Sequence, residues 1–128
     1  MKLTHVCLVT ARFDRMKEFY QDILQTAPKK YQGDYVEFVT EGAILSLYQL
    51  ESMKKLAPGA IEEGANRSVL IEFQVPDADR EYARLQGLKK WPIQFVLPPT
   101  TFPWGNRTIY FRDPDGNLLN FYSVVETK

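Results

Sequence analysis

The stretch "RDPDGNLLNFY", Arg112 to Tyr122, joins a turn to a strand. Asp113, Pro114, Asp115 and Gly116 suit the four successive positions of a type I turn, with an Asx acceptor first, proline with its preset φ second and glycine last. Leu118, Leu119, Phe121 and Tyr122 then read as a buried strand with a carboxamide, Asn120, in its middle. A polar side chain among these apolar ones needs a partner or a wet surface, because a buried unpaired polar group costs roughly 1 to 3 kcal/mol.

Outward from this stretch the chain shows one unit twice. "LTHVCLV" is a short apolar strand, Asp14 offers an N-cap, and Met16, Phe19, Tyr20, Ile23 and Leu24 form one face of an amphipathic helix. "YVEFVT", a Glu41-Gly42 turn and "AILSLYQL" then read as a hairpin. Leu50 to Asn66 is polar, contains Pro58, Gly59 and Gly64, and reads as a connector with about one helical turn. The order then restarts. "SVLIEFQV" is a strand, and Asp77 or Asp79 caps a helix that buries Ala78, Tyr82 and Leu85 and stops at Gly87. "PIQFVL", "RTIYF" and "NLLNFYSV" follow as strands.

The residues repeat along with the elements. Setting Leu8 on Phe73, an offset of 65, places His5 on Leu70 and Asp14 on Asp79. Setting Gly42 on Gly116, an offset of 74, lays "GAILSLY" on "GNLLNFY" and Ser46 on Asn120. The growth of the offset falls to a longer connection before Trp104, in "LPPTTFPWGN", where three prolines stiffen a segment too long for a tight hairpin. Such self-similarity predicts two βαβββ units: unit 1 over about residues 1–50, a connector over about 51–66 and unit 2 over about 67–126, within one domain of 128 residues.

Composition narrows the function classes. Sixteen basic residues balance sixteen acidic ones and the pI is about 6.6, so no global field favours nucleic acid or an anionic membrane. The doublets Lys29-Lys30, Lys54-Lys55 and Lys89-Lys90 fall at expected loop positions and read as solvated ends. Cys7, the one cysteine, allows no intrachain disulfide and no zinc spacing and reads as a small buried hydrophobe. With no apolar stretch long enough for a signal peptide or a membrane span, a cytoplasmic protein is expected.

The opening segment "THVCLVTARFDRMKEFYQDIL" and the closing segment "WGNRTIYFRDPDGNLLNFY" resemble those of the vicinal oxygen chelate (VOC) superfamily, which includes glyoxalase, bleomycin-resistance proteins and extradiol dioxygenases. The resemblance covers nearly the whole chain. It implies an α+β fold in which two tandem βαβββ units form a curved mixed sheet around a central cavity, and it implies a homodimer.

Metal-dependent members take one ligand from each unit's first strand, usually His, and one from each unit's last strand, usually Glu. Carried over, these positions are His5, Ser46, Leu70 and Asn120, and only His5 keeps a normal ligand. A transition-metal or zinc site needs about three strong donors, so the usual metal, and any other cofactor, is expected to be absent. Strand parity then sorts the faces. His5 goes with Cys7, Leu70 with Glu72 and Gln74, Ser46 with Ile44 and Tyr48, and Asn120 with Leu118 and Tyr122, while Val6, Leu8, Val69, Ile71, Phe73 and Val75 turn to the core.

The gathered polar set, His5, Ser46, Tyr48, Glu72, Gln74, Asn120 and Tyr122, predicts a ligand-lined face, with Leu70 beside it and Trp104 as a cover from its loop. His5 and Glu72 are the candidate acid and base, His5 because imidazole titrates near neutrality and Glu72 if burial raises its carboxyl. The leading expectation is a metal-free binder of a small polar or aromatic molecule, by sequestration or with acid/base chemistry. One alternative is a metal-dependent lyase or dioxygenase with a rearranged ligand set that includes His5. Another is a dimerisation or interaction module.

Overall fold

The computed structural model describes residues 1–64 and 66–125; residue 65 of the expected connector and residue 126, where the second repeat was expected to end, lie outside the described residues. The chain divides into two compact units, Met1–Gly64 and Ala65–Lys128.

Unit 1 runs β1 (His5–Thr10), α1 (Phe13–Leu24), β2 (Lys29–Gln32), β3 (Tyr35–Phe38), β4 (Ile44–Gln49) and α2 (Leu50–Leu56). Its four strands lie in the order β1-β4-β3-β2, with β1 parallel to β4 and the other pairs antiparallel. A parallel neighbour requires a crossover, and α1 is part of it. The helix buries Phe13, Met16, Phe19, Tyr20 and Ile23, the i, i+3, i+4 stripe of its sequence, and Leu24 is only half-buried. Val36, Phe38, Leu45 and Leu47 form the buried face of the sheet.

Unit 2 repeats the plan with β5 (Leu70–Gln74), α3 (Ala78–Gln86), β6 (Phe95–Thr101), β7 (Asn106–Arg112) and β8 (Leu118–Val124) in the order β5-β8-β7-β6. Its core holds Ile109, Phe111, Leu119 and Phe121 with Ala78, Leu85 and Trp91, and Phe111 meets Phe121 edge to face at 5.0 Å. The repeat is carried by the ladders themselves, which pair Leu8 with Leu47 and Phe73 with Phe121. Each unit is therefore a four-stranded mixed sheet built from one βαβββ unit.

Asp113 anchors the turn before β8. Gly116 N–H donates to Asp113 O at 2.9 Å, and the Asp113 side chain accepts from the backbone N–H groups of Asp115 and Asn117. Gly116, at φ 90°, takes a conformation that a Cβ would strain.

Several expectations need correction. Asp14 is not the N-cap of α1. Arg12 is, and Asp14 falls in the first turn, where its carboxylate faces the positive end of the helix dipole. Asp77 does cap α3, accepting from Arg80 N–H at 3.1 Å. Lys29-Lys30 lie in β2, an edge strand where exposed lysines suit an unpaired margin, and Lys54-Lys55 lie in the last turn of α2, which is longer than one turn. Val6 and Cys7, on the edge strand β1, and Val69, which precedes the edge strand β5, are exposed and not buried as expected.

The segment "LPPTTFPWGN" is not a long connection. Pro98 and Pro99 belong to β6, and residues 102–105 close a tight hairpin in which Phe102 N–H donates to Asn106 O at 2.8 Å. Proline is tolerated there because β6 is an edge strand and its register shifts between Leu97 and Thr100, where no ladder donor is needed. The larger offset of the second unit instead comes in part from β6 and β7, seven residues each where β2 and β3 have four. Among the described residues no helix is long and apolar enough to cross a membrane.

Candidate functional site

In unit 1 one register row crosses the sheet as Cys7, Ser46, Glu37 and Lys29, and the next holds Val9, Tyr48 and Tyr35. Paired residues share a face, so Glu37 stands on the face that His5, Ser46 and Tyr48 occupy, opposite the one packed on α1. Its carboxylate is a hub. Oε1 accepts from the Tyr31 hydroxyl at 2.7 Å, and Oε2 accepts from the Tyr35 hydroxyl at 2.7 Å and from His5 Nε2 at 2.9 Å. β4 lies between β1 and β3, so His5 and Glu37 meet across it. The short side chain of Ser46, in register with Glu37, leaves room for that contact.

Glu37 is largely buried, with its side chain 12% exposed against 39% for His5. The Tyr31 and Tyr35 hydroxyls, and after them His5, hold its carboxyl below the usual range, against the pull of burial. The same bonds act in reverse on the phenols. Tyr31 is raised chiefly by its hydrogen bond to Glu37, while Tyr35 is raised first by burial and then by Glu37.

An ionised carboxylate only accepts, so His5 Nε2 carries a proton and donates it. The other nitrogen, Nδ1, is 2.9 Å from Thr4 Oγ1. Both ring nitrogens are thus engaged. The rings of Tyr31, Tyr35 and Tyr48 line the cluster, with centroid separations of 5.6 and 5.8 Å at 51° and 83°. Ser46 Oγ is buried beneath without a hydrogen bond of its own.

In unit 2 the corresponding row is Glu72, Asn120 and Tyr110, with Gln74, Tyr122 and Thr108 in the next. Asn120 Nδ2 donates to Glu72 Oε1 at 3.0 Å. Because that carboxylate only accepts, the amide cannot be turned over, and Asn120 Oδ1 is left buried without a partner. Glu72 itself is exposed, so the burial on which its proton-transfer role depended is absent. Leu70 and Gln74 are exposed and Tyr122 is half-buried. Trp104 lies on the residue 102–105 turn, 69% exposed and stacked on Phe102 at 4.7 Å, beyond the Asn106–Val124 pair, which is itself four ladder pairs from Asn120, roughly 13 Å along the strand.

The structure therefore brings His5, Ser46 and Tyr48 together in one unit, and Leu70, Glu72, Gln74, Asn120 and Tyr122 together in the other. Reasoning from sequence missed Glu37, Tyr31 and Tyr35. Parity carried across the Glu41-Gly42 turn from Ser46 was the available signal for Glu37 and Tyr35. Tyr31 sits where the β2–β3 register shifts, which no periodicity marks.

The four carried-over metal positions do not fit a metal ion. Leu70 has no donor and Ser46 and Asn120 offer neutral oxygens, which leaves His5 as the one normal ligand of the four. Within either unit, among the described residues, no three of His, Cys, Asp and Glu side chains come together to bind one.

Residues 2–121 match the family model described as the Glyoxalase/Bleomycin resistance protein/Dioxygenase superfamily. A Bacillus subtilis (strain 168) protein described as "Uncharacterized protein YraH" is 28% identical over 98% of this chain and 100% of its own length. The crystal structure of a glyoxalase/bleomycin resistance protein/dioxygenase from Nocardioides is similar with a TM-score of 0.80 and 27% identity, covering 100% of this chain and 86% of that one. A glyoxalase/bleomycin resistance protein/dioxygenase family enzyme from Burkholderia phytofirmans PsJN aligns with a TM-score of 0.84 at 15% identity, over 98% of this chain and 100% of that one, a likeness of fold alone.

Proposed function

The chain belongs to the glyoxalase/bleomycin resistance protein/dioxygenase superfamily, and from that premise we propose that it binds a small polar or aromatic molecule on its polar sheet faces, without the metal of its metal-dependent relatives. The observation that carries this reading is the Glu37 hub: an ionised carboxylate with three donors already in place, walled by tyrosine rings. Preformed polar groups among aromatic walls are the usual makeup of a ligand site.

Binding is favoured over acid/base turnover. Nε2 of His5 donates to Glu37 and Nδ1 lies against the Thr4 hydroxyl, so the imidazole is held as an oriented hydrogen-bonding group, and Glu72 lacks the buried setting of a tuned acid. Both residues serve recognition in this reading, His5 with Ser46 and Tyr48 in one unit and Glu72 with Leu70, Gln74, Asn120 and Tyr122 in the other. The superfamily resemblance adds a homodimer, which light scattering tests, and a cytoplasmic location is a further part of the proposal, tested by fractionation.

Metal analysis of the purified protein, combined with a thermal-shift screen of metabolites and antibiotics, tests the function. Ligands that raise Tm in the wild type and fail to do so in His5→Ala and Asn120→Leu are expected. Stoichiometric, tightly held zinc, nickel, manganese or iron would overturn the metal-free reading in favour of a lyase or dioxygenase with a rearranged ligand set.

A further inference from the structure

Resting on that reading and deepening it, we infer that the Glu37 cluster of unit 1 receives an organic ammonium group, carried on a small aromatic or aliphatic compound and seated against the rings of Tyr31, Tyr35 and Tyr48.

The charge balance of the face is the first argument. Tyr31 and Tyr35 are neutral donors, so the negative charge of the cluster is that of the Glu37 carboxylate. Hydrogen bonds from neutral groups spread this charge onto the phenol oxygens without cancelling it. Among the described residues, His5 Nε2 is the one basic nitrogen within ion-pair distance of the Glu37 carboxylate, at 2.9 Å. Lys29, in register with Glu37 on β2, is exposed and makes no ion pair with it. The bonds from Tyr31, Tyr35 and His5 keep the carboxyl below the usual range, so the charge persists into mildly acidic solution.

The second argument is the open acceptor site. Oε2 already takes two hydrogen bonds and Oε1 one, so one acceptor site is left on Oε1. An ammonium group can donate there and gains in addition from the field of the carboxylate and from the π faces, while leaving all three bonds intact. An anion is repelled.

Ring geometry is the third argument. Tyr35 stands nearly perpendicular to Tyr48 and tilted from Tyr31, with centroid separations under 6 Å. The edge contact of Tyr35 with Tyr48 covers one ring face, and the remaining faces turn in different directions, where an ammonium group can meet them. Tyr31 is 59% exposed, which leaves its ring open to a ligand.

The test is calorimetry and ¹H–¹⁵N NMR on the full chain at neutral pH and low salt, with benzylamine and benzyltrimethylammonium as cationic probes and benzyl alcohol as the neutral one. Both ammonium probes are expected to bind about tenfold more tightly than benzyl alcohol. They should shift the amides of Tyr35–Phe38 and Ile44–Gln49 and lose the preference as salt is added. Glu37→Gln removes the preference. If that variant does not fold, Tyr31→Ala takes its place, with a loss of about threefold to tenfold in ammonium affinity, while Tyr31→Phe, which keeps ring and charge, retains the preference over benzyl alcohol.

Equal binding of benzyl alcohol and benzylamine, or ammonium shifts confined to other residues, would overturn the ammonium assignment and leave the broader binding function standing. If no compound in the thermal-shift screen bound at either polar face, the broader function would fall as well.

Discussion

His5 on β1 and Glu37 on β3 hydrogen-bond at 2.9 Å across β4, the strand that separates them in the sheet. Two long side chains reach over a short one, Ser46. The contact therefore depends on three strands at once, and it makes the carboxylate the centre of the face.

Glu37→Gln should separate the two phenols. Tyr31 is raised above its ordinary 10.0 chiefly by its bond to Glu37, whereas Tyr35 is raised first by burial. In the variant Tyr31 returns toward 10.0 and Tyr35 stays above it. Ultraviolet titration of tyrosinate, assigned with Tyr31→Phe, reads this out, and two phenols falling together would contradict the geometry.

Stability should fall in acid with a definite sign. The carboxyl of Glu37 is held below its ordinary 4.5 and that of Asp79 below 3.8, the latter chiefly by its hydrogen bond from Arg107. A depressed carboxyl contributes stability that is present above its unfolded value and is lost as pH falls through the folded one. The urea midpoint should therefore decline from about pH 4.5 downward. Glu37→Gln and Asp79→Asn should each flatten that decline, with the larger effect expected at the less exposed Glu37.

At Asn120 the two obvious replacements should diverge. Asn120→Leu removes both a satisfied donor and an unpartnered acceptor, and since Glu72 is exposed, stability should stay within about 1 kcal/mol of the wild type. Asn120→Asp places a second carboxylate 3.0 Å from the first. It should cost about 1 to 3 kcal/mol at neutral pH and recover as acid protonates one of the pair. Denaturant melts at pH 7 and pH 5 distinguish these outcomes, and a pH-independent Asn120→Asp would refute the contact.

The turn before β8 offers a test of the fold. Asp113→Ala leaves the backbone N–H groups of Asp115 and Asn117 without their acceptor and should cost about 2 kcal/mol. Gly116→Ala forces a Cβ into a φ of 90° and should cost about 1 to 2 kcal/mol. Thermal unfolding measures both. An unchanged Tm in either would mean that the turn is not held as described.

Much of the fold was legible because its signals are local. The Asp-Pro-Asp-Gly turn, the helical stripe of Met16, Phe19, Tyr20 and Ile23, and the two offsets of 65 and 74 depend on neighbours within a few residues or on simple repetition. The ladders of both units confirm these assignments. Parity correctly placed Ser46 with Tyr48, and Asn120 with Glu72 in the adjoining strand. Pro98 and Pro99 misled because proline argues against a strand, and only the position of β6 at the sheet edge cancels that argument.

The sequence by itself thus determined the repeated βαβββ plan and the polar face of each last strand, since both follow from side-chain periodicity and turn chemistry. Tertiary structure alone decided that Glu37, and not Glu72, is the enclosed carboxylate, and that Tyr31, Tyr35 and His5 converge on it. Register between non-adjacent strands and the irregularity near Tyr31 set those meetings, and neither leaves a period in the chain. The free energy of a charge depends on which donors surround it in space, and that is fixed only when the strands are laid side by side.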